Sequence, residues 1–236
     1  MAIDPPSDAP RWRALDAPQR RVLGVLIEKA KTTPAAYPMT INAIVAGSNQ
    51  KNNRDPITSY DDFDVEKALS ELQELGVVKE IDWVGRVPKY KHLAYEWLGV
   101  KPVELAILAE LLLRGAQALG ELRARAARME PIEDLSALKP IVEGLLERKL
   151  MIELTPPGRG QIVGHNLYLP GEIESQPARP LASARAEPLA SARAEPPAIG
   201  RAETSHSVLL AEIADLRSRM AGLVERIERL ESRGGA

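Results

Sequence analysis

The chemistry open to this chain is narrowed first by what it lacks. Its 236 residues include no cysteine and three histidines, His92, His165 and His206. Thiol nucleophiles, disulfides and cysteine-ligated zinc are excluded, and the histidines have no neighbour at metal-ligand spacing. No phosphate-binding glycine loop, zinc-protease motif or nucleophile elbow occurs. The acids Asp61, Asp62 and Asp64 stand before an apolar-periodic run, where carboxylates cap a helix and complement its dipole. The reading is a protein that is not an enzyme and holds no cofactor and no metal.

The chemistry that remains is recognition. Asn49, Gln50, Lys51, Asn52, Asn53 and Arg54 are consecutive amides and cations. Asparagine can pair with base edges, and lysine and arginine can hold phosphates. The competing reading is a loop whose amides satisfy backbone groups. Arg86 and Lys89, followed by Lys91 and His92, form a second basic stretch, open to phosphate contact or to plain solvation. Arg114, Arg123, Arg125 and Arg128 face one acid, Glu121, within 114–128. They read either as an anion patch or as ion-pairing glue toward 130–134 or the other half of the chain. Lys139 and Arg148 complete the candidate nucleic-acid contacts, which are Lys51, Asn52, Asn53, Arg54, Arg86, Lys89, Lys139 and Arg148.

Two copies of one programme must position these groups. Residues 18–95 and 102–170 each open with a proline, Pro18 or Pro102, at the start of an apolar-periodic helix, where proline is well tolerated. A short second helix follows, over 40–47 and 119–127. The third helix carries Val65, Leu69, Leu72 and Leu75 in the first copy and Leu138, Val142 and Leu145 in the second. Each copy ends in two β-rich runs around Gly or Pro, 77–81 with 86–93 and 150–154 with 161–169, which read as hairpins. The expected fold is mainly α with small β-hairpins, as two tandem winged helix-turn-helix domains at 15–98 and 99–170.

The flanks differ in composition. Residues 1–14 read as a disordered lead-in. Within 171–204 the octapeptide LASARAEP occurs twice in succession, at 181–188 and 189–196. Its regular prolines block a helix, and it reads as a disordered linker. From 205 to 233, Leu209, Ile213, Leu216, Met220, Leu223, Ile227 and Leu230 alternate in steps of four and three. This is a heptad seam for a parallel two-stranded coil, with Glu212 facing Arg217 and Arg226 facing Glu231 of the second copy.

Several strings together resemble the YceH family of bacterial proteins of unknown function. They are Leu26–Lys29 with Thr32–Pro34 and Tyr37-Pro38, Asn49–Arg54 with Pro56, Gly85–Tyr90, and Leu111–Gln117 followed by Gly120–Arg125 and Arg128-Met129. The resemblance spans about 16–170 and implies paired winged-helix domains. It implies no activity, substrate or cofactor.

Charge tempers the functional reading. Residues 16–95 hold 11 basic and 11 acidic groups, and 101–170 hold 9 of each. Neither copy has the positive excess of a typical DNA reader. The first copy's third helix carries Asp64, Glu66, Glu71 and Glu74 against Lys67, which phosphates would repel. The leading expectation is a dimeric, DNA-associated regulator; the alternative is a protein–protein adaptor with neutral winged-helix surfaces. The expected partners are a second copy of the chain and duplex DNA, with an unidentified protein in the alternative. The start, Met1–Pro10, has no basic segment before an apolar run, and no stretch approaches the ~20 apolar residues of a membrane span. No membrane association and a cytoplasmic location are expected.

The heptads generate a test. The full chain should sediment as a dimer at micromolar concentration, and deletion of 205–236 should give a folded monomer. A full chain that sediments as a monomer would refute the parallel coil in favour of a tail folded back on the body, which a ~34-residue linker permits.

Overall fold

The first three α-helices begin where a side chain satisfies a first-turn amide. α1 (Ala17–Thr32) has Asp16 as its N-cap, with Gln19 returning a bond to the Asp16 amide and Pro18 in the first turn. α2 (Ile41–Ser48) is capped by Thr40, and α3 (Asp62–Glu74) by Asp61 with Asp64 reciprocating. Such caps are worth about 1 kcal/mol each. The computed structural model describes residues 12–81 and 87–173. The repeat linker and the heptads lie outside the described residues.

The first half continues through β1 (Val78–Ile81) and β2 (Lys89–His92), paired antiparallel with Val78 opposite His92. A short helix, α4 (Ala94–Leu98), ends at Gly99. The second half repeats the order with α5 (Pro102–Arg114), α6 (Leu119–Ala126), α7 (Leu135–Glu147), β4 (Met151–Glu153) and β5 (Ile162–His165). Between α5 and α6, β3 (Gln117–Ala118) pairs with β5, giving the sheet order β3-β5-β4. The first half has a counterpart in the bridge from Met39 to Tyr90. The described residues are thus mixed α and β: seven α-helices with two small antiparallel sheets.

The copies agree in detail at the turn after the third helix. Gly76 and Lys149 both take positive φ, 72° and 56°. In each case the next residue donates back five positions, Val77 to Leu72 and Leu150 to Leu145. This is the paired-bond helix ending that glycine favours; the second copy builds it on a lysine. Each copy also ends its last strand in a histidine. His92 Nδ1 accepts from the Ala94 amide at 3.3 Å, and His165 Nδ1 accepts from the Leu167 amide at 3.1 Å.

The two halves share one core. α1 packs along α5, and the run Arg20–Glu28 of α1 and the run Leu105–Leu113 of α5 are buried on every face. Burial on all sides is the pattern of a central helix. The fully buried leucines here, among them Leu23, Leu26, Leu105, Leu108 and Leu111, each contribute about 1.5–3 kcal/mol. At Gly24 the helices come so close that a Cβ would lie 3.0 Å from Leu113 Cγ and 3.2 Å from Leu112 Cβ. The ends of the unit are tied together as well. The Leu15 amide donates to the Leu167 carbonyl at 2.9 Å, and Arg20 pairs with Glu172 at 2.6 Å.

The strand-ending histidines set an acid sensitivity. Burial pushes His92 down to about 4, helped by Lys31, and pushes His165 down to about 3, helped by Arg20. Both folded values lie below the unfolded value near 6.5, so the unfolded chain takes up protons first as pH falls. Stability is complete above that value and declines toward the folded ones, by up to about 1.4 kcal/mol per pH unit per histidine. Urea midpoints should therefore fall between about pH 6.5 and 5, before most carboxylates titrate. A profile that stays flat across that interval would contradict neutral burial of these rings.

Candidate functional site

Two glutamates sit in the apolar seam between α1 and α5. Glu28 is 2% exposed and Glu110 fully buried. An isolated buried carboxylate is very costly, and three arginines answer the pair. Arg54 Nη2 lies 2.5 Å from Glu28 Oε2, and Arg128 Nη1 lies 2.5 Å from Glu28 Oε1. The other end of Arg128 reaches Glu110 Oε2 at 3.1 Å, while Arg114 Nε stands 3.9 Å from Glu110 Oε1. Burial alone would raise the Glu28 carboxyl, but Arg54 and Arg128 outweigh it and hold it below the usual range. The same glutamates, against burial, raise Arg128. Arg128, from the segment after α6, thereby bridges the first helix of one copy to the first helix of the other.

The network also fixes the polar segment 49–60. Arg54 donates to the Gly47 carbonyl at 2.9 Å, the Asn53 carbonyl at 2.8 Å and Gln50 Oε1 at 3.0 Å. Asn49 clasps Tyr60 in both directions, at 2.7 and 2.9 Å. Arg21, from α1, donates to the carbonyls of Ser48 and Pro56. The Asp55 amide donates to the Leu113 carbonyl at the end of α5. The segment separates two clefts of about 400 Å³. One is lined by Glu28, Lys29, Gln50, Lys51, Asn52, Asn53 and Arg128. The other lies against α1, the end of α5, and Tyr168.

The candidates read from sequence separate on this frame. Lys51, Asn52 and Asn53 are exposed at the rim of the first cleft, beside Lys29 and Arg128. Asn53 has φ 58° and accepts from Arg114 at 3.4 Å. Arg54 requires correction as a phosphate contact: its side chain is 0% exposed and committed to Glu28. The amide-rich string is thus divided, with Asn49, Gln50 and Arg54 building the loop and 51–53 presenting its tip. Lys89 is half-buried on β2. Arg86 and the dimerisation residues Leu209–Leu230 lie outside the described residues.

In the second copy, Lys139 is exposed on α7. Arg148 is bound to the Gly99 carbonyl at 2.9 Å and to Glu104 at 2.7 Å. That places Arg148 at the start of α5, whereas the loop tip sits at its end, about 15 Å away at 1.5 Å per residue. Arg148 and the tip do not form one patch. The arginine string resolves as structural. Arg123 donates to the carbonyls of Ile132 and Glu133, and Arg125 to Gln117 Oε1 at 2.7 Å.

Sequence reasoning overlooked Glu28, Glu110 and Arg21. Their signal was a charge placed on an apolar helical face, as in Leu26-Ile27-Glu28 and Leu108-Ala109-Glu110. Among the described residues no group of three or more His, Asp or Glu is arranged to hold a metal ion, and no helix is long and apolar enough to cross a membrane.

The class so defined is a two-copy helix-and-hairpin protein whose halves are locked by a buried glutamate–arginine network. The family described as "Protein of unknown function, DUF480" matches residues 15–159, which covers the network, the loop and both clefts' main walls, and the chain belongs to it. UPF0502 protein RB6530 of Rhodopirellula baltica is 51% identical over 160 residues, 68% of each chain. UPF0502 protein GSU0233 of Geobacter sulfurreducens is 46% identical over 162 residues, 69% of each chain. UPF0502 protein Acid345_3645 of Koribacter versatilis is 40% identical over 167 residues, 70% of this chain and 78% of its own.

Breaking the network on one side should cost more than removing a whole pair. Glu28→Gln leaves Arg54 buried without its counter-charge and should lower stability by about 3–5 kcal/mol. Adding Arg54→Met should restore much of that loss. Urea unfolding at neutral pH checks both, and a Glu28→Gln loss below about 1 kcal/mol, the scale of an exposed pair, would show that the network carries little.

Proposed function

We propose that the chain is a non-enzymatic, DNA-associated regulator of the cytoplasm, built from two tandem winged-helix domains and dimerised through 205–233. The order of three helices and a hairpin in each half, with a short third strand pairing before the second helix, supports the winged-helix assignment. One observation carries the nucleic-acid reading. Lys51, Asn52 and Asn53 stand exposed on a braced loop whose cleft also holds Lys29, while Arg128 behind it is already committed to Glu28 and Glu110. Cations there would hold phosphates, and the amides would face bases. α3 is not the reading element in this proposal, because Asp62, Glu66 and Glu74 are exposed along it and repel phosphate.

A second reading, the protein–protein adaptor, is favoured by a different surface. Ile57 is 64% exposed and Phe63 72% exposed, on either side of Tyr60. Exposed apolar side chains close in sequence can seat a protein partner. This reading leans on fold analogy for the rest.

Titration of the full chain against mixed-sequence duplex DNA at low salt separates the two. Association should be detectable at about 10–100 μM or tighter, the range of nonspecific readers. Lys51→Ala should weaken all sequences alike and reduce the salt slope by about one, while Asn52→Ala should change sequence preference. Absence of association in that range would overturn the DNA reading in favour of the adaptor.

A further inference from the structure

We propose that the cleft between α1, the 55–60 segment and the C-terminal end of α5 binds a small aromatic anion. The cleft measures about 410 Å³, a volume typical of small-ligand sites. Arg20 and Arg21 enter it from α1 and Arg114 from the end of α5. Pro56, Tyr60, Leu111 and Tyr168 supply flat or apolar walls.

The charge in this cleft is not balanced. Arg20 is paired with Glu172, and Asp55 lines the same space. Arg114 also stands 3.9 Å from Glu110, so that over the cleft and the adjoining network five guanidinium groups (Arg20, Arg21, Arg54, Arg114 and Arg128) face four carboxylates (Glu28, Asp55, Glu110 and Glu172). Arg21 is only 4% exposed, and its hydrogen bonds run to the carbonyls of Ser48 and Pro56 at 3.1 and 2.6 Å rather than to a carboxylate. Burial and the neighbouring Arg54 hold it down to about 10. Burial and Arg125 lower Arg114 in the same way. A group with one negative charge would complete the balance, and guanidinium forks bind carboxylate or phosphate in two-point fashion.

An independent feature borders the same space. Tyr168 is 6% exposed, and its buried hydroxyl has no hydrogen-bond partner among the described residues. A buried hydroxyl ordinarily has a partner. Its ring stacks on His165 at 3.8 Å and carries the Arg20 guanidinium 5.0 Å from its centroid. A ligand's anionic head would take Arg21, Arg114 and the Tyr168 hydroxyl, and its ring would lie against Tyr60, Pro56 and Leu111.

The inference does not rest on the nucleic-acid reading. Its test is calorimetric titration of the full chain with benzoate, phenyl phosphate and benzyl alcohol. At least one of the two anions should bind, the tighter of them identifying the head group, and benzyl alcohol should bind about tenfold or more weakly than that anion. Tyr168→Phe removes a hydroxyl that has no protein partner, so its melting temperature should equal or exceed that of the unaltered chain. Its affinity for the anion should fall about fivefold, the worth of one hydrogen bond, and Arg114→Gln should weaken the anion at least as much. DNA association should be unchanged in Tyr168→Phe, which separates the two proposals. Failure of both anions to bind up to about 10 mM, tenfold beyond a millimolar affinity, would overturn the site. Equal affinity in Tyr168→Phe, or binding of benzyl alcohol as tight as that of the anions, would overturn it too.

Discussion

Glu28 and Glu110 impose the constraint on which the rest of this structure depends. Each lies on a helix whose other faces are packed with leucine, and each must be neutralised where water does not reach. The counter-charges come from far along the chain: Arg54 from the polar loop of the first copy and Arg128 from the second. Satisfying the two carboxylates therefore orients the halves and draws the 49–60 segment inward at once. Apolar burial between α1 and α5 supplies the larger driving force, but it is non-directional. The ionic network is directional, because each oxygen accepts from a particular nitrogen.

The polar surface follows from that arrangement. Arg54, Arg21 and Asn49 spend their hydrogen-bonding capacity on backbone carbonyls and loop amides. A short braced loop results, with Lys51, Asn52 and Asn53 as its tip. The same bracing leaves a cleft on each side. One is amide-rich beside Lys29 and Arg128; the other is crowded with guanidinium groups and tyrosines. A rigid scaffold that presents an exposed loop between two clefts is a common setting for binding and catalytic residues alike.

The duplicated programme is visible in the backbone as well as in the order of the elements. Both last strands end in a histidine that accepts from the amide two residues on. Both third helices end through a positive-φ residue, glycine in one and lysine in the other. Equivalent backbone needs are met by different side chains, which is what duplication followed by divergence leaves behind.

Residue types and their spacing, by themselves, determined most of the local structure. Pro18, Pro102 and Asp61 marked helix starts, and the leucine periodicity marked α1, α3, α5 and α7, because first-turn residues, caps and periodicity act within a few residues. The duplication and the family resemblance were equally legible. The two-residue strand β3 and the short helix α4 were not, since segments so short have no periodicity of their own and exist through their partners. Only the tertiary structure decided which charges belong to the surface. Lys51 and Arg54 are three residues apart in one polar string, yet one is exposed and the other is enclosed against Glu28. Glu28 is 26 residues from Arg54 and 100 from Arg128. A carboxylate's need for counter-charge is encoded locally, but the identity of the group that answers it depends on which distant segments packing brings within hydrogen-bond reach.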